Sequence, residues 1–180
     1  MSNNKQGEAD TRNVVDHYRG VSVEDIKSDM QSRAFAFHVA IENFQHDFNI
    51  GSIVRSANAF NATAVHIIGK KHWNKRGAMA TDKYLDVFQY AGVEEFVERA
   101  EELGLEIIGI DNTPGSVWLH EATLPKNCVL VFGQEGPGLS DEMKAHCQKI
   151  VAIQQFGSTR SINVGAAAAI VMNEWIRQQL

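Results

Sequence analysis

The sequence predicts a single α/β domain with a mostly parallel β-sheet that helices cover on both faces. A chain of 180 residues fits one domain of ordinary size and is long enough to bury a substantial core. Short apolar runs are interleaved with segments of helical periodicity, which is typical of parallel strands joined by crossover helices. The apolar runs also lack polar alternation, as strands buried on both faces do.

Residues 1–32 are predicted to be a polar, partly helical N-terminal arm, and residues 33–180 to be the domain. Within the arm, the stretch SVEDIKSDMQ has the pattern of a short amphipathic helix. Ser22 lies three residues before Asp25, and this spacing is typical of the capping box that begins a helix. We therefore expect the arm to add a helix to the domain rather than to fold as a second domain.

Strands and helices follow one another from residue 36 to the end of the chain in the order expected of a parallel sheet. Four apolar residues of the helix after the first strand recur at helical spacing and are expected to face the core. They are Ile50, Ile53, Val54 and Ala57. Strands are predicted at 36–42, 64–68, 105–110, 128–132 and 150–153, and helices at 50–60, 93–103, 140–146 and 163–179.

The composition restricts where the protein works and which sites it contains. No apolar run approaches the ~20 residues that span a bilayer, and the polar opening MSNNKQGEADTRN lacks a signal-peptide core. We therefore expect a cytoplasmic protein without membrane contact. Cys128 and Cys147 occur without a Cys-x-x-Cys pattern, which predicts reduced thiols rather than a zinc site or a disulfide framework. No metal is expected.

The charge balance does not favour nucleic-acid binding by the surface as a whole. The chain has 22 Asp and Glu against 17 Lys and Arg, and its formal net charge is −5. A local patch is present in KKHWNKR at residues 70–76, here called the basic segment, which contains no acid. It is either an RNA-contacting surface or an ordinary solvated loop. Its candidate RNA-binding residues are Lys70, Lys71, Trp73, Lys75 and Arg76.

Three unusual segments lie at the ends of predicted strands, where open α/β sheets bind ligands. Segment one is NIGSIVRSANAFNA at residues 49–62, which follows the first strand. Segment two is LVFGQEGPGLS at residues 130–140, which continues the strand that ends at Phe132. Segment three is IQQFGSTRSINVGAAAAI at residues 153–170, which leads into the last helix.

Segment one combines a helix start with a basic residue. Asn49 is placed to cap the following helix, its side-chain oxygen accepting an N–H group that has no intrahelical partner. Ser52 and Arg55 are three residues apart and therefore share one flank of that helix. By itself, this pattern also fits a routine cap and a surface arginine.

Segment two superficially matches the phosphate-binding pattern G-x-x-x-x-G-K-S/T. Leu139 stands where the lysine must be, so the charge that would meet a nucleotide phosphate is missing, and a nucleoside triphosphatase is excluded. No G-x-G-x-x-G lies between a strand and a helix, which disfavours a dinucleotide site. Two interpretations stay open: a glycine loop that brings its backbone and Glu135 close to a ligand, or a turn capped by Ser140 that serves only the topology.

Segment three places polar residues before an alanine-rich helix. Ser161 and Asn163 lie at the start of this helix, so we expect one of them to cap it and the other to be available to a ligand. The alanines at 166–169 allow a neighbouring element to approach closely, either within the fold or across a dimer.

In this order and at these strand ends, the segments resemble the three motifs of the SpoU (TrmH) family, a branch of the SPOUT superfamily of S-adenosylmethionine-dependent RNA methyltransferases. The resemblance covers about residues 37–176. It implies a parallel sheet whose C-terminal part is tied in a deep trefoil knot, with S-adenosyl-L-methionine bent in the loops of the knot. It also implies a homodimer with segment one at the interface.

The resemblance further implies a set of cofactor-binding residues. Gly133, Ile153 and Ile162 occupy the positions that hold the adenosine of the cofactor. Backbone groups and an apolar slot would provide most of that binding, as in other cofactor pockets with few polar anchors. Asp111 and Asn112, which directly follow the predicted strand at 105–110, are expected to add contacts to the cofactor.

The catalytic set is also carried over by resemblance. In the family the motif-one arginine is assigned to activating the ribose 2′-hydroxyl group, and Arg55 occupies its position. Because a guanidinium has a pKa above about 12, it is a poor base, so we expect Arg55 to stabilise the developing oxyanion instead. Arg160 is expected to contact an RNA phosphate. The residues expected to orient the arginine, the nucleotide and the cofactor are Asn49, Glu135, Ser161 and Asn163.

The combined prediction is an RNA ribose 2′-O-methyltransferase that acts on transfer RNA. Transfer RNA is favoured because the chain ends at Leu180 directly after the last helix, without a strongly basic extension, and because Trp73 can stack on a base of a single-stranded loop. Ribosomal RNA as the substrate of the same reaction is one alternative. The others are a non-catalytic RNA-binding or cofactor-sensing module of the same fold, and a flavin- or nucleotide-binding α/β protein.

Overall fold

The structure, a computed structural model, describes residues 11–44 and 49–180. Among these residues, no helix has the length and apolar character needed to cross a bilayer. The α-helices are α1 (Val23–Ser32), α2 (Ile50–Ala59), α3 (Val93–Glu102), α4 (Asp141–His146) and α5 (Val164–Gln179). The strands are β1 (Phe37–Asn43), β2 (Ala64–Gly69), β3 (Asp86–Tyr90), β4 (Glu106–Ile110), β5 (Val117–Trp118), β6 (Cys128–Phe132) and β7 (Lys149–Ala152). Short 3₁₀ helices lie at Asp16–Tyr18, Lys75–Ala78 and Thr81–Tyr84.

The seven strands of the described residues form one sheet in the order β3-β2-β1-β6-β4-β7-β5. Every pair of neighbouring strands is parallel. The predicted α/β class with a mostly parallel sheet is therefore confirmed. Because all strands point the same way, the carboxyl ends of β1, β6, β4 and β7 lie along one edge of the sheet, where segments one to three begin or pass. The deep trefoil knot that the resemblance implies stays a prediction.

Helices cover the sheet on both faces. On one face, α2 and α5 pack over a cluster that includes Phe37, Ile53 and Trp175, each of them at most 1% exposed. On the other face, α3 and α4 pack over a cluster that includes Phe96 and Met143. Every residue of β1 and β6 is buried, because both faces of these central strands are covered. The predicted two-sided covering is thus confirmed.

All the predicted strands and helices are present, with bounds that differ from the predicted ones by no more than one residue. The four apolar residues of α2 are fully buried, as their spacing predicts. Two strands, β3 and β5, are absent from the prediction. β3 lies at an edge of the sheet and keeps Phe88 and Gln89 exposed, so it lacks the apolar run that marks the central strands. β5 has only two residues, too few for a recognisable pattern.

The helix of the N-terminal arm begins where the sequence predicts it. The N–H group of Asp25 donates to Oγ of Ser22 at 3.1 Å, and α1 follows. Ile26 of α1 is buried in a small cluster that also contains Tyr84 of the domain, so the arm packs against the domain. Residues 1–10 of the predicted arm lie outside the described residues, and the division between arm and domain stays a prediction.

Both cysteines are free thiols, as the sequence predicts. Cys128 is buried in β6, and burial raises the pKa of its thiol to about 12. Burial likewise raises the pKa of the Cys147 thiol to about 11. Thiols with pKa values this high are protonated near neutral pH, and a protonated thiol is a poor nucleophile. Neither cysteine is therefore a candidate for covalent catalysis.

A buried hydrogen-bond chain of side chains crosses β1, β2 and β3 beneath Phe96 of α3. Nδ1 of His38 lies 2.9 Å from Nε2 of His66, and Nδ1 of His66 lies 2.9 Å from the hydroxyl group of Tyr90. Burial lowers the pKa of His38 to about 4 and that of His66 to about 3, and the positive charge of Arg99 adds to both shifts. Both imidazole rings are therefore neutral in the folded protein at neutral pH.

This chain predicts that the free energy of unfolding falls as the pH is lowered from about 7 to about 5. The unfolded chain binds protons on these histidines near the ordinary pKa of about 6.5, whereas the folded protein does not, so acid favours unfolding. Each histidine accounts for a loss of about 2 kcal/mol over this range. Urea denaturation at the two pH values measures the difference.

The variant His66→Gln cannot titrate and is expected to reduce the stability difference between the two pH values by about 2 kcal/mol. His120, whose side chain is 59% exposed, provides the matched control. His120→Gln is expected to leave the difference as it is in the wild type. An identical difference in the wild type and in His66→Gln would contradict the neutral buried chain.

Candidate functional site

A pocket of about 260 Å³ lies at the carboxyl ends of β4, β6 and β7, where segments two and three meet. Apolar side chains form part of its wall, and backbone of the glycine-rich loop and several amide side chains form the rest. Within the described residues, no group of three or more His, Cys, Asp or Glu side chains is arranged to hold a metal ion. The apolar lining includes Ile110, Phe132, Ile153 and Ile162, and the polar lining includes Asn112, Gln134, Gln155 and Ser161.

Asn49 joins the three segments through its side-chain amide. Its Nδ2 donates to Oε2 of Glu135, in segment two, at 2.6 Å. Its Oδ1 accepts a hydrogen bond from Nδ2 of Asn163, in segment three, at 2.8 Å. These partners are 86 and 114 residues away from Asn49 in the sequence. The three segments therefore converge at one place beside the pocket.

The prediction that Asn49 caps α2 is wrong. Its side chain makes no capping hydrogen bond, and its backbone is already close to helical, with φ −82° and ψ −15°. The two tertiary partners occupy the amide instead. At α5 the expected cap is confirmed, because Oδ1 of Asn163 accepts hydrogen bonds from the N–H groups of Gly165 and Ala166 at 2.9 and 3.2 Å. Asn163 thus caps α5 with its oxygen and binds Asn49 with its nitrogen.

Segment two folds as a tight glycine loop at the end of β6. The main chains of Gln134 and Gly138 exchange two hydrogen bonds of 3.0 Å, which close the loop. A Cβ atom at Gly133 would overlap main-chain atoms of Gly138 and Leu139. Gly138 has φ +73°, and a Cβ atom there would lie 2.7 Å from a carboxylate oxygen of Asp111. The loop therefore requires glycine at both positions.

Two carboxylates hold the end of this loop through consecutive N–H groups. Oδ2 of Asp111 accepts a hydrogen bond from the N–H group of Leu139 at 3.0 Å. The carboxylate of Glu42 in β1 accepts one from the N–H group of Ser140 at 2.8 Å and another from its Oγ at 2.6 Å. Glu42 is fully buried, and burial raises the pKa of its carboxyl group against the lowering effect of these hydrogen bonds. Ser140, which one of the two open interpretations of segment two makes a cap, caps α4 by accepting the N–H group of Met143 at 3.1 Å.

The five predicted cofactor-binding residues all lie in the lining of the pocket, and their contact with a cofactor stays a prediction. The carboxylate of Asp111 is already engaged, since it also accepts the N–H group of Asn112 at 2.7 Å. It therefore positions the glycine loop that borders the pocket. The five residues are Gly133, Ile153, Ile162, Asp111 and Asn112.

The predicted catalytic residues are only partly brought together. Asn49, Glu135 and Asn163 are joined by hydrogen bonds, and Ser161 lies in the pocket lining. Arg55 is separate from this group. It lies on the exposed flank of α2 and makes no hydrogen bond or ion pair with the part of the chain that the structure describes. Its guanidinium is therefore available to a ligand or to another chain.

Most of the predicted RNA-binding side chains are exposed, but Trp73 is half-buried and packs against the core cluster beneath α2 and α5. Nζ of Lys75 lies 5.4 Å from the centre of the Trp73 ring and 2.9 Å from the carboxylate of Asp82. The indole is therefore partly covered by its own loop. The exposed members of the set are Lys70, Lys71, Lys75, Arg76 and Arg160.

The basic segment and the 3₁₀ helix Lys75–Ala78, which begins within it, pack directly on the first turn of α2. A Cβ atom at Gly51 would lie 2.8 Å from the N atom of Ala78, and 2.9 Å from the O atom of Asn74 and the Cα atom of Gly77. Backbone meets backbone at this contact, with no side chain between them.

Three polar residues of the site are absent from the sequence-based prediction: Glu42, Gln134 and Gln155. The signal for Glu42 is an acid near the end of a buried strand, because a buried carboxylate needs hydrogen-bond donors. The glutamines lie next to predicted positions in segments two and three. Glutamine follows no pattern that marks it as functional, so only the structure reveals them.

Comparisons with known proteins agree with this geometry. The model of the SpoU rRNA methylase family matches residues 36–173. A Mycolicibacterium smegmatis protein, named as an uncharacterised tRNA/rRNA methyltransferase, is 32% identical over 151 residues, which is 80% of this chain and 47% of its own. The 23S rRNA (guanosine-2′-O-)-methyltransferase RlmB of Neisseria meningitidis is 31% identical over 140 residues, which is 73% of this chain and 54% of its own. The chain thus spans about half the length of these curated relatives.

Solved structures with the same fold are also found. The SpoU methyltransferase AviRb from Streptomyces viridochromogenes, in complex with AdoMet, has a TM-score of 0.70 and 26% identity, covering 84% of this chain and 61% of its own. The TrmH/SpoU tRNA modifying enzyme of A. aeolicus has a TM-score of 0.76 and 24% identity, covering 87% of this chain and 82% of its own. Because the A. aeolicus enzyme is only 24% identical, its likeness shows that the two chains share a fold.

The glycine loop predicts a strong effect of Gly133→Ala, because the added Cβ would overlap the main chain of Gly138 and Leu139. We expect the free energy of unfolding to fall by about 2 kcal/mol or more, and hydrogen exchange to accelerate at the N–H group of Gln134. Gly92→Ala is the matched control, since nothing lies within 4 Å of a Cβ atom there. Equal stability of the two variants in urea would contradict the loop geometry.

Proposed function

Because the chain belongs to the SpoU rRNA methylase family, as the three segments predict, we propose that it transfers a methyl group from S-adenosyl-L-methionine to a ribose 2′-hydroxyl group of RNA. The ribose position is supported by a relative named for guanosine 2′-O-methylation. The cofactor is supported by a structural neighbour in complex with AdoMet.

The observation that carries this proposal is the hydrogen-bond chain through Asn49. It ties Glu135 and Asn163 together at the rim of a pocket built by the other parts of segments two and three. Asn49 also directly precedes α2, and Arg55 is the sixth residue of that helix. The same interaction therefore relates the pocket to the helix of the proposed catalytic arginine.

The pocket lining fits S-adenosyl-L-methionine. Gly133 presents bare backbone, and Ile153 and Ile162 supply apolar surface for a flat base. Asn112 and Ser161 add polar side chains to the lining that can hydrogen-bond a polar ligand. When bound, the cofactor supplies a methyl group activated by its sulfonium.

Arg55 has the chemistry to stabilise the reacting oxygen. A ribose 2′-hydroxyl must lose its proton as its oxygen attacks the methyl group, so negative charge develops on that oxygen. A guanidinium remains charged and offers several N–H donors, so it stabilises this charge and binds the adjacent phosphate, which can accept the proton. The exposed side chain of Arg55 is not committed to another described residue, as this role requires.

The polar residues around the pocket would orient the reactants. The amides of Asn49 and Asn163 are held by each other and by Glu135, so their positions are fixed before a substrate arrives. Ser161 is exposed in the pocket lining and would contact the nucleotide or the cofactor. Arg160 is exposed beside it and would bind a phosphate.

We further propose a homodimer that covers the exposed flanks of α2 and α5. These helices pack against each other, and Ile170 of α5 is 44% exposed. Phe156, in the loop before α5, is 87% exposed. Apolar residues this exposed on adjoining elements favour a protein partner, and a second copy of the chain is the one that the resemblance implies. Loss of the dimer in Ile170→Asp, measured by analytical ultracentrifugation, is the expected outcome.

Transfer RNA is the substrate that we propose, with ribosomal RNA as the alternative. The basic segment presents several exposed cations, which can bind the phosphates of a compact RNA. The net charge of −5 does not favour a wide basic surface for a larger RNA. The alternative is supported by the relative named for 23S rRNA. Labelled cofactor, incubated with separate pools of transfer and ribosomal RNA, distinguishes them when ribose methylation is mapped by mass spectrometry.

The variant Arg55→Ala is expected to lower the rate of methyl transfer by ~100-fold or more, because an electrostatic stabiliser of the transition state is lost. Its Kd for S-adenosyl-L-methionine, measured by calorimetry, is expected to stay within a few-fold of the wild type, since Arg55 does not line the pocket. Arg99→Ala removes an exposed arginine from the opposite face and serves as the control. Normal turnover in Arg55→Ala would remove Arg55 from the mechanism.

A further inference from the structure

Asn43, the last residue of β1, is a buried amide that binds the start of the basic segment. Its Nδ2 atom donates to the carbonyl oxygens of Lys70 and His72 at 2.7 and 3.2 Å. Its own carbonyl oxygen accepts a hydrogen bond from the N–H group of Lys70 at 2.8 Å. Because β1 pairs with β2 as far as Asn43 and Gly69, these hydrogen bonds continue the attachment beyond the end of the sheet.

The amide of Asn43 serves the loop rather than the core. The residue is 0% exposed, and a buried amide is unfavourable unless it is hydrogen-bonded. Its Nδ2 atom has two N–H donors, and both described partners are main-chain carbonyls of the basic segment. An apolar side chain of similar size would be buried without this cost, but it could not bind the loop. The side chain therefore fixes the course of the main chain that follows β2.

The loop is held close to the domain at two further points. A Cβ atom at Gly69 would lie 2.7 Å from the ring of Phe44 and 2.9 Å from the carbonyl oxygen of Asn43. At Gly77 a Cβ atom would lie 3.1 Å from the N atom of Ser52, in the first turn of α2. The loop is thus attached to the end of β1 on one side and to α2 on the other.

The backbone of this loop has a conformation that its own residues do not favour. Met79 and Ala80 are left-handed, with φ of +49° and +63°. Residues with a Cβ atom rarely adopt this conformation, which persists only where the surroundings impose it. Oγ1 of Thr81, which is 4% exposed, holds the turn by donating to the carbonyl oxygen of Ala78 at 2.6 Å. An unfavourable shape that several contacts maintain indicates that the shape itself has a use.

We propose that Asn43 is a positioning residue that orders the basic segment before RNA binds; this rests on the proposed function. A loop that is already ordered loses less conformational entropy when it binds a partner. Because Asn43 is buried, it acts through the main chain of the loop and does not contact the RNA. The exposed cations that it holds ready for phosphates are Lys70, Lys71, Lys75 and Arg76.

Asn43→Ala removes both side-chain donors and keeps every cation of the loop. Its Kd for the RNA pool that accepts methyl groups is expected to rise by about tenfold, because the loop must then be ordered on binding. In turnover, KM for RNA is expected to rise by a similar factor, while kcat stays within about twofold. The Kd for S-adenosylhomocysteine, measured by calorimetry, is expected to stay within about twofold of the wild type. A purely structural role would lower Tm without separating RNA binding from cofactor binding.

Gln178→Ala is the matched control, because the amide of Gln178 also binds the main chain of a loop. Its Nε2 donates to the carbonyl oxygen of Ala122, and its Oε1 accepts from the N–H group of Leu124, both at 2.9 Å. That loop contacts Lys149, the first residue of β7, so it lies at the opposite edge of the sheet from the basic segment. Gln178→Ala is expected to lower Tm and to leave both Kd values as in the wild type.

The outcomes separate this inference from the proposed function. Failure of the wild type to methylate either RNA pool overturns the proposed function. A double variant, Lys70→Ala with Lys71→Ala, is expected to bind RNA more weakly; an unchanged Kd would remove the basic segment from the RNA surface, and the inference with it. Weaker binding by that variant, combined with an unchanged RNA Kd in Asn43→Ala, overturns the inference alone. An equal rise of both Kd values in Asn43→Ala also overturns it. Asn43→Ser repeats the test if Asn43→Ala does not fold.

Discussion

The site depends on one side-chain amide. Asn49 donates to a carboxylate of segment two and accepts from an amide of segment three, and an aspartate or a leucine of the same size cannot do both. The sheet makes this possible, because β1, β6, β4 and β7 are neighbours whose carboxyl ends share an edge. Asn163 extends the arrangement by capping α5 with its remaining oxygen. A single amide thus fixes the relative positions of a helix, a glycine loop and a second helix.

Much of the fold could be predicted from the sequence because its central strands are buried on both faces. Runs such as the one in β6 are apolar throughout, and α3 and α5 bury residues at helical spacing. β3 and β5 escaped prediction for the converse reason: one is an edge strand with exposed side chains, and the other is very short. An edge strand pairs with one neighbour only. The place of β3 in the sheet is set by its pairing with β2, and its own composition does not reveal it.

The site was predictable in outline, and the reasons for the remaining errors are physical. The positions of the segments at strand ends, together with their resemblance to a family, indicated the residues that line the pocket. The sequence pattern predicted that the side-chain oxygen of Asn49 caps α2. In the structure that oxygen accepts a hydrogen bond from Asn163 instead, so it makes no cap. Gln134 and Gln155 were not predicted because glutamine follows no local pattern that marks a pocket residue, and only the packed structure shows them in the lining.

The contact between Gly51 and Gly77 has a mechanical consequence. Side chains can rotate to absorb a small displacement, but two backbones in van der Waals contact cannot. The first turn of α2 therefore cannot be displaced toward the loop that carries the exposed cations without displacing the loop as well. A force that pushes this loop toward α2 is therefore passed to the helix on which Arg55 lies, because no side chain between the two backbones can yield.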